Sequence, residues 1–156
     1  MRIAILKRVS AVLLGAVMAV SLVPVMGMLT DGTVGQDEAK AADLVGNGTC
    51  GEKVIWTLDS DGLLTISGAG DMYDYDKYQT ESPFTDYARE IEKIIITDGV
   101  TSVGATAFNG CTYLKSVAIP IGVTSIGKEA FCWCYDLTSI DIPDGVMSVG
   151  EDAFVN

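Results

Sequence analysis

The fold is decided by two adjacent stretches: Gly99–Pro120, GVTSVGATAFNGCTYLKSVAIP, and Gly122–Pro143, GVTSIGKEAFCWCYDLTSIDIP. Displaced by 23 residues, they coincide column by column. Gly99 meets Gly122 and Gly145; Val100 meets Val123 and Val146; Ser102 meets Ser125 and Ser148. Val103, Ile126 and Val149 share a column, as do Gly104, Gly127 and Gly150. Ala107-Phe108 returns as Ala130-Phe131 and as Ala153-Phe154. Leu114-x-x-Val117-x-Ile119-Pro120 returns as Leu137-x-x-Ile140-x-Ile142-Pro143, and Ile91-x-x-Ile94-x-Ile96 fits one period earlier. Self-similarity at a fixed period of this size marks a repeat architecture, in which no unit buries its apolar residues alone and neighbouring units must stack.

The period also assigns local structure. The L-x-x-V-x-I segment alternates apolar and polar residues at its end, as a short strand with one buried face does. Proline after it ends the ladder. GVTSIG supplies two further inward positions, Val123 and Ile126, and KEAF turns Ala130 and Phe131 inward on an expected turn of 3₁₀ or α helix. Stacking sets Phe108 on Phe131 on Phe154, and Ile96 on Ile119 on Ile142. The fold class is a mainly β repeat solenoid with a parallel strand ladder and coils of 23 residues over 91–156, the last coil incomplete.

These two stretches resemble the BspA-like class of leucine-rich repeats found on bacterial surface and secreted proteins. Cys50–Tyr75, CGEKVIWTLDSDGLLTISGAGDMYDY, resembles the N-terminal segment of such proteins. The resemblance implies a non-enzymatic module used for adhesion or for binding host or matrix proteins. It also implies a recurring F-x-x-C-x-x-L, met here by Cys111 and Cys134. Those two cysteines share a column and read as small buried thiols inside the turn, or as a disulfide between coils stacked about 5 Å apart.

Upstream, Val54–Leu58 and Leu63–Ser67 flank Asp59-Ser60-Asp61-Gly62, a hairpin that caps the first coil. Residues 42–49 read as a flexible lead. Residues 71–90 read as a polar, tyrosine-rich connection within an N-terminal region spanning 42–90, with Phe84 and Tyr87 as anchors to the core. The chain stops partway through a third coil with no capping segment, which reads as a fragment of a longer protein or an abbreviated gene.

At the N-terminus Arg2, Lys7 and Arg8 precede an apolar run, Val9–Leu29, and Ala39-Lys40-Ala41 suits a signal peptidase, with cleavage expected after Ala41. An uncleaved span is the rival reading, since the run is long enough to cross a bilayer. Export places the product outside the cell or on its surface, where disulfides are permitted. Residues 42–156 carry 6 Lys and Arg against 18 Asp and Glu, a net charge of −12. Such a balance argues against nucleic acid and against anionic lipid as partners once the leader is removed.

The chemistry-bearing residues are few. There is no histidine, so no Ser-His or Cys-His pair exists. Glu129, Asp136, Asp141 and Asp144 fall in variable columns expected to face solvent. Four cysteines without histidine do not make a zinc site, and no metal or other cofactor is expected. Cys132 and Trp133 replace Asn109 and Gly110 of the preceding coil and stand outside the repeat's logic, so Cys132 is expected near the surface. Asp71, Asp74 and Asp76 lack the EF-hand pattern and read as a solvated acidic loop, whose Tyr73, Tyr75 and Tyr78 offer a contact patch. Asn47-Gly48-Thr49 matches a glycosylation sequon by chance. The expected binding face is the outward side of the ladder: Lys93, Ser116 and Ser139 in one column, Ile95, Ala118 and Asp141 in the next. A protein partner fits this small, polar face. The rival readings are an accessory repeat domain of a larger exported cell-wall or glycan-active enzyme, and a spacer without a ligand.

Overall fold

In the computed structural model, which describes residues 42–156, two sheets face each other across a continuous core. The first is five-stranded, in the order β1 (Leu44–Thr49), β2 (Val54–Asp59), β3 (Leu63–Gly68), β5 (Lys93–Ile96), β7 (Ser116–Ala118). The second runs β4 (Gly70–Asp71), β6 (Val100–Val103), β8 (Ser125–Ile126), β9 (Ser148–Val149). The chain alternates between the sheets, and each circuit is one coil.

The predicted ladder is present. Ile94 pairs with Val117 and Ile95 with Ala118 in parallel register, at the offset of 23. The hairpin β2–β3 does not merely lie over the end; β3 pairs in parallel with β5, Leu64 beside Ile94 and Ile66 beside Ile96. The switch from antiparallel to parallel pairing therefore falls inside one sheet. Inward residues follow strict alternation: Val54, Trp56 and Leu58, then Leu64 and Ile66, then Ile94 and Ile96 are all buried.

The GVTSIG segments form the second parallel sheet, Ser102 beside Ser125 beside Ser148 and Val103 beside Ile126 beside Val149. The glycine after each strand is required by close approach. A Cβ on Gly127 would lie 2.4 Å from the Ala105 nitrogen, and one on Gly150 would lie 2.4 Å from the Lys128 nitrogen. Coils pass backbone against backbone at this column.

The aromatic stack extends one rung further than the repeat. Phe84, Phe108, Phe131 and Phe154 stack with centroids 5.0, 5.3 and 5.5 Å apart. Trp56 closes the near end, edge-on to Phe84 at 5.4 Å and to Tyr87 at 5.6 Å. Phe84 and Tyr87 thus anchor the connection, as expected, around a 3₁₀ turn at Thr85–Tyr87.

Four expectations are corrected. The expected flexible lead contains β1, antiparallel to β2; Gly46 and Gly48 let it lie flat on the Trp56 ring, where a Cβ at Gly48 would be 2.9 Å from Nε1. The expected helical turn at A-F is not a helix. Its N–H groups alternate between the turn and the next coil: Asn109 donates to Thr106 O at 3.3 Å, while Phe108 donates to Ala130 O at 2.9 Å. Thr106, Glu129 and Asp152, at φ of 49°, 52° and 55°, break any helical run there. Residues 139–141 form no strand, so the first sheet ends at β7. Ile142 is correspondingly 43% exposed rather than buried over Ile119. The signal segment, residues 1–41, lies outside the described residues. Among the described residues no helix is long and apolar enough to cross a membrane.

Candidate interaction surface

The outward side of the five-stranded sheet is one continuous face. Pairing sets Thr57, Thr65, Ile95 and Ala118 in a row across four strands, with Leu63, Lys93 and Ser116 in a second row. Lys93, Ile95, Ser116 and Ala118 are all exposed, Ile95 by 42%. Ser139 and Asp141 are exposed as well, but they stand on irregular chain beyond β7 and not on a strand. The face is therefore longer toward the hairpin than the repeat alone indicates. Thr57 and Thr65 belong to it, and Ile55, half exposed, adjoins it through Ser67. The alternation in the hairpin carried that signal. What was not visible is that β3 joins β5. At the margin Lys115 Nζ donates to Glu92 Oε2 at 2.6 Å, which holds the Glu92 carboxyl below its ordinary range.

The acidic segment is structural. Asp71 Oδ1 accepts from the Thr101 hydroxyl at 2.7 Å, Asp74 Oδ1 from the Ala105 N–H at 2.7 Å, and Asp76 Oδ1 from the Tyr78 N–H at 2.7 Å. Two of the three carboxylates thus fasten the connection to the first coil. Among the described residues no three His, Cys, Asp or Glu side chains converge as metal ligands. Of the tyrosines, Tyr73 and Tyr78 are exposed, but Tyr75 is buried, a correction to the expected patch. Desolvation pushes its phenol well above the ordinary range.

All four described cysteines are buried free thiols. Cys134 Sγ donates to Phe108 O at 3.3 Å, the carbonyl that also accepts the Cys111 N–H. The shared column thus places the Cys134 thiol inside the turn of the coil before it. Burial pushes Cys50 and Cys134 up to about 12 and Cys111 further in the same direction. Cys132, expected near the surface, is only 6% exposed, although it is not part of the main core. Desolvation, with the nearby Glu129 and Asp152 carboxylates, raises its pKa above the ordinary thiol value.

The cluster around Trp133 was not legible beforehand. Trp133 is 49% exposed and holds φ +60° in the column where Gly110 holds +79°. Lys77 Nζ lies 6.0 Å from the Trp133 ring centroid, 5.5 Å from that of Tyr78, and 3.5 Å from Glu129 Oε2. Asn109 Nδ2 donates to the same carboxylate oxygen at 3.5 Å. Glu129, expected to face solvent, is therefore largely enclosed, its side chain 19% exposed. The one available signal was a tryptophan in a glycine column.

The family model described as "BspA type Leucine rich repeat region (6 copies)" matches residues 81–156. These residues are a BspA-type leucine-rich repeat region. Among solved structures, a leucine-rich repeat protein from Eubacterium ventriosum is 32% identical with a TM-score of 0.65. The match covers 70% of this chain and 29% of that one, so the chain spans less than a third of that relative. A leucine-rich cell surface protein from Faecalibacterium prausnitzii is 26% identical, TM-score 0.46, over 70% of this chain and 34% of the other. The T. pallidum leucine-rich repeat protein is 19% identical, TM-score 0.47, over 64% and 51%. No curated protein matches the chain.

Proposed function

We propose that this chain is a non-enzymatic binding module, exported to the cell surface or beyond, which engages a protein through the outward face of its five-stranded sheet. The observation that carries the reading is the row Thr57–Thr65–Ile95–Ala118 with Lys93 and Ser116 beside it: in register, half-buried at Thr65 and exposed at the others. Ser139 and Asp141 extend the surface past the last strand. Repeat modules bind through such extended faces because the scaffold is rigid and the outward residues are free to vary. The basic and apolar N-terminal segment supports export.

The test uses the full-length chain against a panel of purified matrix proteins, beside an Ile95→Arg/Ala118→Arg variant. Both residues are exposed, so the variant folds normally. A partner bound at micromolar concentration and weakened at least about tenfold by the double change supports the reading. Absence of any partner at that concentration favours a spacer role, and binding unaffected by the change moves the site elsewhere.

A further inference from the structure

We propose that the turn edge of the first two coils, around Trp133, is a second binding site and that it takes a short neutral saccharide. It is separate from the sheet face and does not depend on that reading. The first observation is conformational. Trp133 occupies a left-handed backbone position that its column otherwise gives to Gly110, and a bulky residue there is an outlier. Such outliers persist where surrounding structure holds them and concentrate at functional sites. The fold gains little from this side chain, because half of its surface is open to solvent.

The second observation is what surrounds it. A recess of about 360 Å³ is lined by Lys77, whose Nζ lies 6.0 Å from the Trp133 ring centroid, and by Asp76, Tyr78, Thr106, Lys128 and Glu129. A smaller recess of about 100 Å³ lies on the other side of Lys77 and Thr106 and reaches Asn109. The larger volume is at the small end of ligand sites. Lys77 donates only, ionised Glu129 accepts only, and Asn109 and Thr106 do both. Sugar hydroxyls also donate and accept, and a pyranose has an apolar face of C–H groups that matches an aromatic ring.

Charge selects further. Lys77 and Lys128 are paired with Glu129 and Glu151 at 3.5 and 2.8 Å, and Asp76 and Glu81 add two further carboxylates to the lining of the recesses. With both lysines paired and carboxylates in excess, the site repels anions and offers acceptors to the hydroxyls of an uncharged ligand. An extended peptide is disfavoured because it needs free backbone partners. The N–H groups of Thr106, Glu129 and Trp133 already donate to Lys128 O, Glu151 O and Val155 O of the next coil. Side chains alone are offered, as a saccharide requires.

The experiment titrates the full-length protein with cellotetraose and with the tetramer of N-acetylglucosamine. It follows tryptophan fluorescence and heat, with Trp133→Gly and Glu129→Gln as variants. The wild type is expected to show saturable quenching, reported by Trp133 because Trp56 is buried. By calorimetry Trp133→Gly should bind at least about tenfold more weakly, and Glu129→Gln more weakly than wild type. Trp133→Gly restores the residue that the column favours, so its thermal midpoint should hold or rise. The proposal is overturned if neither tetramer gives a saturable response at millimolar concentration, or if Trp133→Gly binds as well as wild type. A pool of extended peptides that quenches Trp133 when neither tetramer does would overturn it equally. So would a fall in midpoint for Trp133→Gly without saccharide binding, since the side chain would then be a staple for the connection.

Discussion

The second and third coils carry the same residue types in the same columns and yet differ in burial. Val103 and Ile126 are 1% and 2% exposed, whereas Val149 is 48% exposed. Phe108 and Phe131 are fully buried, whereas Phe154 is only half-buried. Val117 is buried, while Ile140 in its column is half-buried and Ile142 open. The difference is one of neighbours. Each inner coil has a coil on both sides, and in this structure the third is covered on one side. In a stacked repeat a residue's burial is a property of its position along the stack as much as of its chemistry.

The comparison gives a graded set of expectations. The largest effect belongs to the stack's interior. Phe131→Ala removes a ring held between Phe108 and Phe154 and should cost about 3–5 kcal/mol, enough to threaten a domain of ordinary stability. Phe154→Ala should cost about half as much, since less surface is lost. Urea unfolding of both variants checks the pair, and equal losses would erase the proposed difference between coils. Next comes Gly127→Ala. Its Cβ would press on the backbone of the preceding coil, 2.4 Å from Ala105 N, and overpacking of this kind costs about 1–3 kcal/mol. A neutral result by the same unfolding assay would mean that the coils sit further apart than described.

A smaller effect is expected from the thiols. Timed alkylation of the native protein at pH 8 should label Cys132 first: desolvation raises the pKa of all four thiols, but Cys50, Cys111 and Cys134 are fully buried while Cys132 keeps 6% exposure. Rapid labelling of Cys134 would show that the turn opens. A mass two hydrogens short in protein purified without reductant, with Cys111 and Cys134 joined in the peptide map, would instead show the bridge between them. The smallest effect is electrostatic. Glu92 and Glu151 have pKa values lowered by Lys115 and Lys128 of neighbouring coils. A lowered folded-state pKa stabilises above the unfolded value, about 4.3, and that contribution is lost as pH falls through the folded one. Both pairs are exposed, so the urea midpoint should drop only slightly between pH 6 and pH 3 from this cause, and less still in high salt. No such loss should appear in a Lys115→Met/Lys128→Met variant beyond that of the remaining acids.

How much of this was legible follows from the same comparison. The repeat announced which residues share a column, and the Phe stack, the Val103–Ile126 column and the ladder through Ile94 and Val117 stand where the offset puts them. The offset is silent on what lies beside a coil, so the exposure of Ile142 and Val149 was not readable. Nor was β1, whose Leu44–Thr49 looks like a loop because two of its six residues are glycines, yet those glycines are what let it cover Trp56. The outward row of the sheet was half legible: Ile95 and Ala118 from the repeat, Thr57 and Thr65 only once β3 joined β5. The Trp133 cluster was least legible, because Lys77, Asn109 and Glu129 come from three separate segments.

The central claim is that stability falls along the stack because each coil is completed by the next. Amide hydrogen exchange tests it at one repeated position. The N–H groups of Phe108 and Phe131 donate to Ala130 O and Ala153 O at 2.9 and 2.8 Å, whereas among the described residues that of Phe154 meets no carbonyl. The account predicts slow exchange at Phe108 and Phe131, close to the global unfolding limit, and fast exchange at Phe154. Equal protection at all three amides, or fast exchange at Phe131, would contradict it.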